Sequence, residues 1–339
     1  MIKIGSNSIK FNDVYIRSSA VATGPLEKEG PLGEYFDYSF DNIHCDEKTW
    51  EQAEMRLVKE AANIALIKAK TDYNQLDYII GGDLNNQIAV STYSFNNTFV
   101  PFIGVFAACS TLTLGLGLAS ILIEGKLASN VLVSTSSHNA TSERQFRYPT
   151  EYGGQKPESM TFTATASGSA IISNSPSIVK VTEYTTGRII DVNQKDAQDM
   201  GRTMAPAAVI TLLDHLHNFN TTIDDYDLIV TGDLSTYGSE IFVKCLEEKN
   251  IFIREKHKDA GKELYDIDKQ NVYAGGSGCG CVTAFTLGYL VNKIKEGKLN
   301  KVLVLATGAL LNPVMTAQKL TIPCISHAIC LERSTNDLS

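Results

Sequence analysis

Apolar and polar positions follow two periods along this chain. Residues 49–69, TWEQAEMRLVKEAANIALIKA, repeat at helical spacing, with Ala53, Leu57, Ala61 and Ala65 on one stripe. Short apolar runs of strand length stand at 78–82 (YIIGG), 102–106 (FIGVF), 131–135 (VLVST), 228–232 (LIVTG) and 302–307 (VLVLAT). The same pattern predicts helices from about Ser110 to Gly125, near 239–249 and over 282–296, and a strand near Val272. Residues 84–123 contain no Asp, Glu, Lys, Arg or His. FVPFIGVFAAC and LTLGLGLASILI within them are apolar enough to suggest a membrane span. Pro101 and the polar break Cys109-Ser110-Thr111 favour a buried strand, a tight elbow and a buried helix instead.

The chain also repeats itself. DYIIGGDL at 77–84 returns as DLIVTGDL at 227–234, EGKL at 124–127 as EGKL at 296–299, and GSAIIS at 168–173 is matched by SHAICLE at 326–332. The order is the same in both halves, so the chain reads as a duplicated α/β unit with sheets covered on both faces. The spacing predicts two halves, 1–177 and 178–339, packed as a pseudo-two-fold pair. The offset grows from 150 to 172 residues between the first and second repeats. REKHKDAGKELYDIDKQ, 254–270, is charged and is expected to be the surface insertion responsible. Cys109 and Cys281 share the larger offset.

Composition narrows the function. In 339 residues, 38 acidic and 30 basic side chains leave a net charge of −8, without a basic run. That field disfavours nucleic acid and electrostatic docking on an anionic membrane, and an anionic ligand needs a local positive pocket. Seven cysteines without a paired framework read as reduced and intracellular. MIKIGSNSIKFND lacks the apolar core of a signal peptide. No metal-ligand spacing or dinucleotide fingerprint is present: Cys279 and Cys281 are C-x-C, read as a tight turn, and GGSGCG is not a phosphate loop. No cofactor is expected.

Cys109 on the FAACST elbow resembles the nucleophile elbow of the thiolase-like fold of thiolases and ketoacyl synthases. In that fold the helix terminus lowers a thiol pKa. GPLEKEGPLG (24–33), HCDEKTWEQAE (44–54), SSHNATSERQFRYPTEYGGQKPE (136–158), QDMGRTMAPAA (198–208), AGGSGCGC (274–281) and IPCISHAICLER (322–333) narrow the likeness. They are similar to the stage V sporulation protein AD family of spore-forming bacteria, from about residue 14 to 333. The resemblance implies a duplicated α/β/α/β/α thiolase-like fold, a homodimer, and binding of dipicolinic acid (pyridine-2,6-dicarboxylate). The bound form is the free acid or its calcium chelate. It further implies uptake into the developing spore through a channel complex with other stage V sporulation membrane proteins, the chain being peripherally associated with the spore inner membrane.

The same resemblance tests catalysis. Where ketoacyl synthases carry a His after the second-half strand, this chain has Gly232 or Asp233; where they carry Asn or His in the glycine-rich turn, it has Ser277 and Cys279. A thiol without a base is not an activated nucleophile, so a non-catalytic binding protein is expected. Two alternatives stay open: a Cys109-dependent acyltransferase with a base such as His138, and a scaffold. A flat dianion calls for arginine forks and an aromatic face. The expected pocket is therefore Cys109, Ser136, His138 and Asn139 with Arg144 and Arg147 from the 136–158 loop, and with Asp233 and Ser277 from the emptied catalytic positions. Plainer readings stand beside each. Cys109 is a packed small hydrophobe, His138 a structural histidine, the arginines solvated or paired with Glu143 and Glu151. Asp83 and Asp233 cap their turns, and His215 and His217 lie on the surface.

Overall fold

In the computed structural model, which describes residues 1–146 and 155–334, ten strands form the spine of one large sheet. From one edge they run Phe102–Gly104, Tyr78–Gly82, Asn130–Ser137, Ala166–Ser173, Tyr15–Thr23, then Val179–Thr185, Cys324–Arg333, Lys301–Ala309, Leu228–Thr231 and His257–Asp259. The second five mirror the first. Each repeat therefore falls on an equivalent strand: 78–82 opposite 228–231, 130–137 opposite 301–309, 166–173 opposite 324–333. The two fives meet where Val179 and Lys180 pair antiparallel with Ile16 and Tyr15.

Helix Thr111–Glu124 packs on strands of both fives, and the helical run Cys279–Lys295 lies beside it. Both are buried nearly all round, which is why their sequences carry almost no charge before their last turns. Trp50–Lys68 covers the outer face of the first five strands, burying Ala53, Leu57, Ala61 and Ala65 as its stripe predicts, with Thr49 as N-cap to Gln52 N at 3.3 Å. Met200–Phe219 and Ser235–Glu247 cover the other five. Among the described residues no helix is long and apolar enough to cross a membrane. The uncharged stretch 84–123 forms helix Ala89–Phe95, the edge strand, the elbow and the buried helix.

Four expectations change. Residues 254–270 are not a surface insertion: they hold edge strand His257–Asp259 and bury Asp259, Ala260, Leu264 and Tyr265. No strand forms at Val272, whose neighbour Tyr273 makes only an isolated bridge to Thr161. The helix expected from 282 starts at Cys279. Cys109 precedes its helix whereas Cys281 lies inside one, so the two are not structural equivalents.

Candidate functional site

Cys109 is placed by strain and by anchors from the other half. Ala108 before it holds φ 48°, outside the usual range for a residue with a Cβ. Ser110 Oγ donates to Ala306 O at 2.8 Å and accepts from His327 N at 3.1 Å, tying the elbow to the second half. Opposite lies the glycine turn, held by a two-stranded pairing of Gly276–Ser277 with Phe162–Thr163. Gly278 has φ 97°, and a Cβ there would stand 2.7 Å from Ser137 Oγ. Ser137 Oγ donates to Ala164 O at 2.7 Å and accepts from Gly280 N at 3.0 Å.

Asp233 closes the back of this junction. Its carboxylate accepts from Thr307 Oγ1 at 2.7 Å and Gly278 N at 3.2 Å, and it interacts with the Cys109 thiol. It does not cap its own turn, contrary to the capping expectation. Asp259 does that, accepting from Leu234 N at 2.9 Å and Ser235 N at 2.8 Å. Burial first, then the Asp233 charge and Cys279, push the Cys109 thiol well above its ordinary range. Burial raises Asp233 itself to about 6. A protonated thiol facing a carboxyl group is the opposite of a thiolate–imidazolium pair.

A cavity of about 30 Å³ opens above Cys109 and Ser277, walled by Leu84, Phe106, Phe146, Met200 and Leu311. That is room for about one water. Leu84, Phe106, Phe146 and Leu311 also form the inner wall of an outer cleft of about 360 Å³. Its polar lining is carboxamide: Asn85, Asn86, Gln87, Gln145 and Asn312. Gln87 and Ile88 at its lip both hold positive φ, 59° and 49°, a strained pair because Ile is β-branched. A larger surface cleft, about 720 Å³ near Phe252, contains none of the candidate residues.

The other expected site residues are not brought together here. Ser136 points away, donating to Glu54 Oε1 at 2.9 Å. His138 is fully buried, with Nε2 2.7 Å from Ile43 O and Nδ1 accepting from Ala140 N; burial lowers it to about 4 and leaves it neutral. Asn139 Nδ2 donates to Thr163 O at 3.2 Å. Arg144 pairs with Glu51 at the surface, 5.1 Å from the Trp50 ring. Arg147 lies outside the described residues. No Lys, Arg or His lines the cavity or the outer cleft among the described residues. His215 is corrected from surface to core: it contacts Thr185, Glu183 and Tyr226.

Sequence reasoning missed Glu54 and Glu27 behind the site, while the turn-capping reading of Asp83 holds in its bond from Asn85 N. Glu54, on the buried stripe of Trp50–Lys68, accepts from Ser136 Oγ, Thr141 Oγ1 (2.7 Å) and Asn85 Nδ2 (2.9 Å). Asp83 accepts from Asn85 N, Ser91 N and Ser91 Oγ at 2.7–2.8 Å. Glu27 is buried against Thr165 N and the Tyr265 hydroxyl. The legible signal was a carboxylate one residue from Ala53 and in helical register with Val58, Ala61 and Ala65.

The mirrored ten-strand sheet, two central helices and a cysteine elbow facing a glycine turn define the thiolase-like fold. The structure aligns with OleA of Xanthomonas campestris bound with cerulenin at TM-score 0.63 and 15% identity, covering 95% of this chain and 97% of that one. It also aligns with 3-oxoacyl-[acyl-carrier-protein] synthase III of Aquifex aeolicus at 0.53 and 16%, covering 97% and 100%. In sequence the chain is 46% identical over 321 residues to stage V sporulation protein AD of Bacillus subtilis strain 168, covering 95% of each. The family model for stage V sporulation protein AD matches residues 5–332. The chain belongs to that family.

Proposed function

We propose that this chain is a non-catalytic sporulation protein that binds dipicolinic acid, free or as its calcium chelate, for uptake into the developing spore. One observation carries the non-catalytic part. The Cys109 thiol faces a carboxyl group, and no imidazole contacts it among the described residues. The ligand assignment rests on family membership and on the outer cleft. A ring with two carboxylates is too large for the 30 Å³ cavity, whereas 360 Å³ lies within the ~300–1,000 Å³ of small-molecule sites. Phe106 and Phe146 offer an aromatic face, and five carboxamides offer N–H donors. Arg147 follows Phe146 directly in sequence and stays assigned to the ligand. The functional unit is a homodimer, joined to the spore inner membrane by other stage V sporulation membrane proteins.

Calorimetry with the full-length chain tests this. Micromolar or tighter binding of dipicolinate is expected, weakened about tenfold, or ~1.4 kcal/mol, by Arg147→Ala or by Gln145→Ala. Absence of binding with and without calcium rejects the ligand. Fold neighbours that are condensing enzymes favour one rival, an acyltransferase. A mass adduct after incubation with acyl-CoA, lost in Cys109→Ser, would establish that rival.

A further inference from the structure

Asn85 is the hinge between the outer cleft and two buried acids. It lines the cleft, its main-chain N–H donates to Asp83 Oδ1 at 2.8 Å, and its side-chain amide donates to Glu54 Oε2 at 2.9 Å. The two residues after Asn86 are the strained Gln87 and Ile88. A strained backbone persists only where its surroundings hold it: Ile88 N donates to Asn85 O and Thr92 Oγ1 to Ile88 O, each at 3.0 Å, while the two carboxyl groups anchor Asn85 before the pair and Asp83 anchors Ser91 after it.

We propose that Glu54 and Asp83 form a proton-linked support for the Asn85–Ile88 lip, so that anion binding in the cleft tightens when the pair holds a shared proton. This rests on the cleft being the ligand site. The geometry accommodates that proton on Glu54. Thr141 Oγ1 lies 2.7 Å from Glu54 Oε2 and has a second acceptor, His138 O, at 3.0 Å. It can therefore take a hydrogen bond from a protonated Glu54 and pass its own on. Asp83 has no such relay among the described residues: burial raises it, and its three donors, two of them backbone N–H groups, pull the other way, toward the charged form.

The groups facing the pair are few. Ser136 reaches it from strand Asn130–Ser137, Thr141 from helix Asn139–Phe146, and Ser91 from helix Ala89–Phe95. The Cys279 thiol senses both acids from the second-half helix and is itself pushed up by burial. No Lys, Arg or His donates to either carboxyl among the described residues. Burial and the Asp83 charge push Glu54 up to about 8. Loss of the shared proton thus falls on the alkaline side of neutrality and leaves two negative charges behind the lip. A dicarboxylate in the cleft would then meet greater repulsion in a low-dielectric wall.

The test uses the full-length chain between pH 6.5 and 9, where dipicolinate stays a dianion. Its affinity is expected to fall about fivefold or more in the wild type and less than twofold in Glu54→Gln, which mimics the protonated acid. Amide exchange of residues 85–88 without ligand, corrected for the intrinsic rate, is expected to rise about tenfold in the wild type only. Asp83→Asn, checked for folding by circular dichroism, should flatten both profiles as well. Parallel profiles in wild type and Glu54→Gln overturn the proposal. If dipicolinate binds at no pH, the ligand assignment falls, and the exchange measurement alone decides the proton link.

Discussion

The thiol of Cys109 sits at a helix start, where a free N-terminus ordinarily favours a thiolate. Two local effects oppose that: burial, and the Asp233 carboxyl held by Thr307 and Gly278. We expect iodoacetamide at pH 8 to modify Cys109 at least ~10-fold more slowly than an exposed cysteine. Asp233→Asn should speed that reaction several-fold, because it removes the negative neighbour while keeping the side chain's size. Peptide mapping by mass spectrometry distinguishes Cys109 from the other six thiols. A rate equal to that of an exposed thiol would show the pocket open and the sulfur activated. Residue identity was legible here and direction was not. Ser136 and Ser137 adjoin in sequence, yet alternation along a strand sends Ser136 to Glu54 and Ser137 to the glycine turn. His138 and Arg144 have the chemistry of ligands, but each is satisfied elsewhere, by Ile43 O and by Glu51.

Among the described residues the edge strand Phe102–Gly104 pairs on one side only, in parallel with Tyr78–Gly82. Edges facing water are ordinarily protected by charge or bulges. This one lies within forty uncharged residues, with Tyr93, Phe106 and the almost wholly exposed Phe99 beside it. Those features support placing the proposed homodimer contact here, with a second copy extending the sheet. Tyr93→Glu combined with Phe99→Glu sets like charges against each other in such a contact. Sedimentation equilibrium should then show at least ~10-fold weaker dimerisation at unchanged melting temperature. A monomeric wild type would remove the dimer. Elements with strong periods were legible, including the amphipathic helix and the buried strands. The strand His257–Asp259 was not, because an edge strand of three residues inside a charged run has no apolar pattern to betray it. The repeat carried more information than any single segment, since it paired strands that periodicity alone leaves unplaced.

Across the whole molecule, buried acids and buried imidazoles give stability opposite pH slopes. Burial raises Asp233, Asp259 and Glu54 to about 6, 7 and 8, so the native state keeps protons that the unfolded chain has lost. Stability from these groups falls as pH rises from about 4 toward those values. Burial lowers His138, His257 and His327 to about 4, so the native state lacks protons that the unfolded chain holds. Stability from these rises between pH 4 and about 6.5. Glu183, brought down to about 2 by His215 and Lys301 despite its burial, adds stability above the usual carboxylate range and loses it as pH falls toward 2. The two sets nearly cancel from about pH 4.5 to 6; above that the histidine contribution fades, and beyond about pH 7.5 only the acids still act. Melting temperature should therefore peak near pH 6 and fall by a few degrees by pH 8, for about 2 kcal/mol lost. Glu54→Gln should remove much of the fall above pH 7, because Glu54 is the last of the three to ionise. Differential scanning fluorimetry across pH 4–9 reads both curves. A wild-type maximum at or above pH 8 would mean that these carboxyls are already ionised at neutrality, and that cations or water balance them inside the fold.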